Sequence, residues 1–270
     1  MKEDKISNWV EDQKIRGRYI FTKKDVVDLS LPKSKDSLNV ALYRLISKGT
    51  IVSPWHNFYV AVPTEYQLKG EVPPSFYIDQ LMNFLGRDYY VSLLSAAAIN
   101  GAGHQRAMIF QVTITGNDLR SGLKNGTRLE FTNRKDFPEP FVNKVKTQTG
   151  YMNVSSPELT ALDLIAHEEK IGGLSRAAEV LVELADDMRW DDKKIELLGY
   201  FKTPVIQRLG YLLHVIEESE LEGDLLTLAK QSGRIFRKVP LKQAKPVEDG
   251  MEVDKNWKII INQEIEIDNI

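Results

Sequence analysis

The chain has 270 residues, 42% hydrophobic and 27% charged, which fits an ordinary folded protein of one to three domains. No stretch approaches the ~20 apolar residues of a membrane span, and the start MKEDKISNWVEDQK is charged at once, so neither a membrane partner nor a secretory signal is expected. The absence of cysteine excludes disulfides, Cys-ligated zinc and thiol catalysis, and it agrees with a cytoplasmic setting.

The formal net charge of −2 hides an asymmetry. Residues 1–70 hold 12 Lys/Arg against 8 Asp/Glu, and the window Lys14–Lys48 holds 9 against 3. A basic segment at one end of an otherwise acidic chain suggests a polyanion-binding module there. The bland alternative is a solvated helical surface.

In chain order, KEDKISNWVEDQKIRG reads as a helix, with Ile6, Trp9, Val10 and Gln13 at helical spacing and Gly17 after its end. In YIFTKKDVVDLS, Thr22 is a good N-cap and Asp25 its capping-box partner. Pro32 then breaks the chain. A third helix is expected from about Ser34 to Lys48. Its apolar stripe is Leu38, Ala41, Leu42, Leu45 and Ile46, and Gly49 stops it. Two short strands follow, Ile51–Val52 and Phe58–Val62, joined by SPWHN. Helix, helix, helix, hairpin is the plan of a winged helix-turn-helix, with the third helix for the major groove and the hairpin as wing.

PTEYQLKGEVPPS is polar and carries three prolines, which suits a linker. Beyond it, FYIDQLMNFLG reads as helical, and YYVSLLSAAAING as extended and then helical. AMIFQVTIT and TRLEFTNR read as strands, PFVNKVKTQTG as helix or loop, and YMNVSS as a short strand. SPELTALDLIAHEEKIGG is a helix with Ser156 as N-cap and Pro157 at its first position. Helical LSRAAEVLVELADDM, DDKKIELLGYFK and PVIQRLGYLLHVIEESE come next, and RIFRKVPL and WKIIINQEIEI are late strands. The expected fold class is α+β: a winged helix-turn-helix domain over 1–65, then a larger mixed α/β domain over 75–270.

Tests for chemistry yield little. His56, His104, His167 and His214 show no metal-ligand spacing, so no metal is expected. GAGHQR at Gly101 lacks the ending of a phosphate loop and reads as a turn. There is no G-x-S-x-G elbow, and the acidic clusters read as solvated faces. A metal-dependent nuclease would pair Asp118 and Glu130 with a lysine two residues on, but Thr132 stands there. No catalytic residue and no cofactor are assigned.

The residues expected to meet DNA are Lys33, Ser34 and Lys35 at the start of the third helix, Asn39, Tyr43, Arg44 and Lys48 along it, and His56 and Asn57 at the hairpin tip. Arginine grips phosphate or a guanine edge, asparagine can pair with adenine, and a helix N-terminus offers amide donors to phosphate.

SLNVALYRLISKGTI followed by FYVAVP resembles the N-terminal module of AbiEi-type antitoxins. YYVSLLSAAAINGAG, VSSPELTALDLI, RLGYLLH and WKIIIN resemble landmarks of the same family, in its order. The resemblance implies the regulator half of a type IV (abortive-infection) toxin–antitoxin pair. The N-terminal module would bind inverted repeats in double-stranded operator DNA and repress its own operon. The C-terminal domain would counteract a nucleotidyltransferase-like toxin, with direct contact left open. It implies no enzyme activity. The alternatives are a stand-alone transcriptional regulator with a sensing C-terminal domain, or a nuclease.

Overall fold

The computed structural model describes residues 5–29, 34–68, 70–103, 109–124 and 126–267. The N-terminal elements are α1 (Lys5–Ile15), β1 (Ile20–Thr22), α2 (Lys23–Asp28), α3 (Lys35–Ser47), β2 (Ile51–Trp55) and β3 (Phe58–Ala61). The strands form an antiparallel sheet in the order β1-β3-β2, with Ile20 opposite Val60 and Ile51 opposite Ala61.

Local chemistry sets the helix starts. The Thr22 hydroxyl accepts from the Asp25 N–H, and the Asp25 carboxylate accepts from the Thr22 N–H at 2.6 Å. Ser34 and Ser37 form the same reciprocal box at the start of α3. Gly49, at φ +68, ends that helix in the left-handed region. Ile6, Val10, Phe21, Val26, Leu38, Ala41, Leu42, Leu45, Ile51, Tyr59 and Ala61 bury one shared cluster. Each fully buried large aliphatic side chain there contributes about 1.5–3 kcal/mol of transfer free energy.

Three details differ from the sequence reading. Ile46 is 39% exposed and leaves the expected stripe, so the buried face of α3 is narrower than the apolar pattern. β1 was not anticipated, because three residues are too few to show a period and acquire strand character only by pairing with β3. Trp55 ends β2, so the turn is just His56-Asn57, with Asn57 at φ 61, a conformation that asparagine tolerates.

The polar stretch after β3 holds 3-10 turns at Thr64–Tyr66 and Pro74–Phe76. It is fastened rather than loose. Phe76 meets the rings of Tyr19 and Tyr66, Tyr66 donates to Gln148 Oε1 at 3.0 Å, and Thr149 Oγ1 donates to the Phe76 carbonyl at 2.5 Å.

Then follow α4 (Ile78–Leu85), β4 (Tyr89–Val91), α5 (Leu93–Ile99), β5 (Ile109–Thr115), β6 (Gly122–Lys124), β7 (Thr127–Arg134), β8 (Val142–Thr147) and β9 (Gly150–Ser155). The remaining elements are α6 (Pro157–Ala166), α7 (Leu174–Leu184), α8 (Ile195–Gly199), α9 (Thr203–Val215), α10 (Ser219–Gln231), β10 (Val239–Pro240) and β11 (Ile259–Ile260). Strands β6-β7-β5-β4-β9-β8 form one sheet, in which β5 and β7 run parallel from Ile109↔Arg128 to Thr115↔Arg134.

Val142–Thr147 is a strand, where helix or loop was expected. Val142 and Val145 mimic helical spacing, but the segment is a sheet edge whose Lys144 and Lys146 face water, a common protection of edge strands. The two late strands shrink to two residues each. Side chains replace a longer ladder: Gln207 Nε2 donates to the carbonyls of Arg237 and Trp257, and Arg208 Nε donates to that of Leu241. Helix α10 was not read from the sequence at all.

Internal contacts divide the chain into two compact units. One is Met1–Tyr89, Met108–Lys135 and Lys144–Asn153, and the other is Tyr90–Ala107, Asp136–Asn143 and Val154–Ile270. The core of the second unit gathers α5 to α10 around Leu159, Leu162, Leu181, Leu209, Leu212 and Trp257. Ser156 caps α6 by accepting from the Leu159 N–H. Beside it, Glu158 is buried and accepts from the Ser156 hydroxyl, the Arg189 N–H and Lys194 Nζ.

Candidate nucleic-acid interface

The buried cluster holds one face of α3 and leaves the other outside. Leu38, Ala41, Leu42 and Leu45 are buried, while Asn39, Val40, Tyr43, Arg44 and Ser47 are exposed. The exposed set is spaced by three and four residues, so it forms one continuous surface. Tyr43 is 71% exposed, which is far from a packing role. Lys48 is the exposed C-cap, and its backbone N–H donates to the Arg44 carbonyl.

The other expected site residues fall as follows. The Ser34 hydroxyl is engaged in the capping box. Lys35 is the first residue of α3, and Lys33 lies outside the described residues. His56 is exposed at the β2–β3 turn, with Asn57 half-buried beside it.

Lys23, which the sequence reading did not single out, joins these pieces. Its backbone N–H donates to the Asn57 carbonyl at 2.9 Å, and its Nζ donates to Asn39 Oδ1 at 2.7 Å. One residue at the start of α2 thus holds both the hairpin turn and the outer face of α3. No periodicity reveals this, because Asn39 is sixteen positions away.

Charge follows the two units. The unit with the N-terminal module carries 20 Lys/Arg against 13 Asp/Glu, and the other 16 against 25. Among the described residues of the basic window, Lys14 lies 3.2 Å from Glu11, Lys23 is held by Asn39, and Asp25 is held in its capping box. Arg16, Arg18, Lys24, Arg44 and Lys48 are exposed. A unit of this sign raises the local concentration of polyanions.

Other candidate chemistry does not assemble. Among the described residues no group of three His, Asp or Glu side chains is placed to hold a metal ion. His214 pairs with Glu222 at 3.1 Å, His167 is half-buried, and His104 lies outside the described residues. Gly101 sits at φ +94 just past the end of α5. Glu130 Oε2 accepts from Gln111 Nε2 at 3.2 Å, and Thr132 is buried. No helix among the described residues is long and apolar enough to cross a membrane.

The chain is therefore of mixed α/β class. Residues 90–215 match the family described as the AbiEi antitoxin C-terminal domain, which supports an AbiEi-type antitoxin. The matched span includes VSSPELTALDLI and RLGYLLH, two of the landmarks that carry the resemblance in the sequence. The fold is similar to the crystal structure of the RV2827C protein from Mycobacterium tuberculosis, with a TM-score of 0.67 and 15% sequence identity. The likeness covers 94% of this chain and 89% of that one. No curated protein matches the chain.

Proposed function

We propose that this protein is an antitoxin and autorepressor acting in the cytoplasm. Its N-terminal winged helix-turn-helix binds inverted repeats in its own operator DNA. Its C-terminal domain counteracts a nucleotidyltransferase-like toxin and performs no catalysis of its own. The antitoxin half rests on the family match over residues 90–215. The DNA half rests on one observation: α3 buries Leu38, Ala41, Leu42 and Leu45 and turns Asn39, Tyr43, Arg44 and Lys48 outward, next to a tight two-residue hairpin turn.

In this reading α3 lies in the major groove, where Arg44 and Lys48 meet phosphates or base edges. The His56-Asn57 turn touches the backbone. The partner is double-stranded DNA. Two half-sites call for two copies of the module on one operator.

The test is a titration of the full chain against its own upstream DNA at several salt concentrations, together with co-expression beside the neighbouring toxin gene. Binding that weakens steeply with salt, and rescue of growth arrest, are expected. Absence of salt-sensitive binding removes the regulator half, and failure of rescue removes the antitoxin half. Chelator-sensitive cleavage of plasmid or RNA would make the protein a nuclease instead.

A further inference from the structure

We propose that Lys23 and Asn39 act as a pair that reads guanine in the operator. The inference rests on the DNA-binding reading above and deepens it. An asparagine that can turn freely pairs with adenine, because Oδ1 accepts from N6 while Nδ2 donates to N7. Asn39 does not have that freedom. Lys23 Nζ lies 2.7 Å from its Oδ1. An ammonium has only donors to offer, so the facing atom has to be the carbonyl oxygen. The carboxamide is thereby oriented with Oδ1 toward Lys23 and Nδ2 turned away from it.

Lys23 is itself held at its root. It is the first residue of α2, directly after the Thr22 capping box, and its backbone N–H is committed to Asn57. Its ammonium keeps further N–H donors beyond the one given to Asn39. Together the two side chains present donors only. The major-groove edge of guanine offers two acceptors, O6 and N7, and matches that surface. Adenine places an N6 donor against it. Lys23 is therefore a positioning and specificity-determining residue. It reaches across from α2 to change which base Asn39 selects.

The experiment uses the full chain and the duplex it recovers from a randomised pool. Each G·C pair of a half-site is replaced in turn by A·T, and each guanine by 7-deazaguanine. Wild type is expected to lose about 10- to 100-fold in affinity at one guanine under both replacements. Lys23→Met releases Asn39. It is expected to bring that position within about 3-fold of neutrality or to shift its preference to adenine, with an unchanged melting temperature. Asn39→Ala is expected to abolish the preference there. The pairing is overturned if Lys23→Met weakens every duplex by the same factor while the guanine preference stays; Lys23 would then be a phosphate contact, and the salt slope would flatten by about 0.9. If wild type recovers no duplex from the pool, the DNA-binding reading fails and the pair falls with it.

Discussion

Trp257 lies so close to the backbone of Gly210 that a Cβ at Gly210 would stand 2.1 Å from its Cζ2. The indole is fully buried, its Nε1 donates to Glu222 Oε1 at 2.9 Å, and its carbonyl accepts from Gln207 Nε2 at 2.5 Å. RLGYLLH and WKIIIN, two landmarks some fifty residues apart in the chain, thus meet in one contact. Gly210 sits inside α9, where glycine costs roughly 0.5–1 kcal/mol relative to alanine, and the close approach of the ring accounts for its presence.

Gly210→Ala is accordingly expected to destabilise the chain by about 1–3 kcal/mol, because overpacking outweighs the gain in helix propensity. Gly223 supplies the control. It lies in α10 with open space around its Cα, so Gly223→Ala is expected to stabilise by up to about 1 kcal/mol. Chemical denaturation of both variants checks the pair. Equal effects of the same sign would show that the ring does not govern position 210.

Glu158 holds together the start of α6 and the segment before α8. Its side chain is 4% exposed, and Lys194 Nζ meets it at 2.6 Å with the Ser156 hydroxyl and the Arg189 N–H alongside. Removing the charge from one side of such a pair leaves a partly buried ammonium unmatched. Glu158→Gln is expected to cost on the order of 3 kcal/mol, and Glu158→Gln with Lys194→Met to recover part of that loss. Urea denaturation of the two single variants and the double variant measures the coupling. Strict additivity would mean that the two residues act independently.

Much of the N-terminal module was legible in the sequence because its signals are local. Thr22 and Asp25 form the capping box that their spacing announces, and the Leu38–Leu45 stripe is the buried face. The errors arise where the deciding partner is remote. Val142–Thr147 is a strand because of the sheet beside it. RIFRKVPL pairs over only two residues, because Gln207 and Arg208 reach its carbonyls from α9. The Lys23–Asn39 bond joins the start of α2 to the second turn of α3, and no window of sequence contains both as a pattern.

Tyr77 is fully buried, and its hydroxyl has no hydrogen-bond partner among the described residues. Burial raises its pKa well above the usual value near 10. The folded state thus keeps the phenol neutral where the unfolded chain ionises. Its contribution is complete below about pH 10 and is lost as pH climbs through and beyond that value. Tyr77→Phe is expected to leave stability unchanged or improved by about 1 kcal/mol near neutrality, since no bond is lost. It is also expected to flatten the alkaline decline, part of which remains through Tyr59, Tyr89 and Tyr211, whose pKa values burial also raises. Denaturation midpoints at pH 8 and pH 10.5 decide this. A substantial loss at pH 8 would show that the hydroxyl is needed.

Arg44 and Leu42 stand two residues apart on opposite faces of α3, and they separate binding from folding. Leu42 is buried, so Leu42→Ala is expected to cost about 2–5 kcal/mol and to lower the melting temperature sharply. Arg44 is exposed, so Arg44→Ala is expected to stay within about 0.5 kcal/mol of wild type. On operator DNA the order reverses for the folded fraction. Arg44→Ala is expected to weaken binding and to flatten the slope of log K against log salt by about 0.9, the effect of one lost phosphate contact. If Arg44 grips a guanine edge instead, the loss concentrates at one base pair and the salt slope changes less. A melting temperature that falls with Arg44→Ala, together with an unchanged salt slope, would make the residue part of the scaffold and move the contact surface off this face of α3.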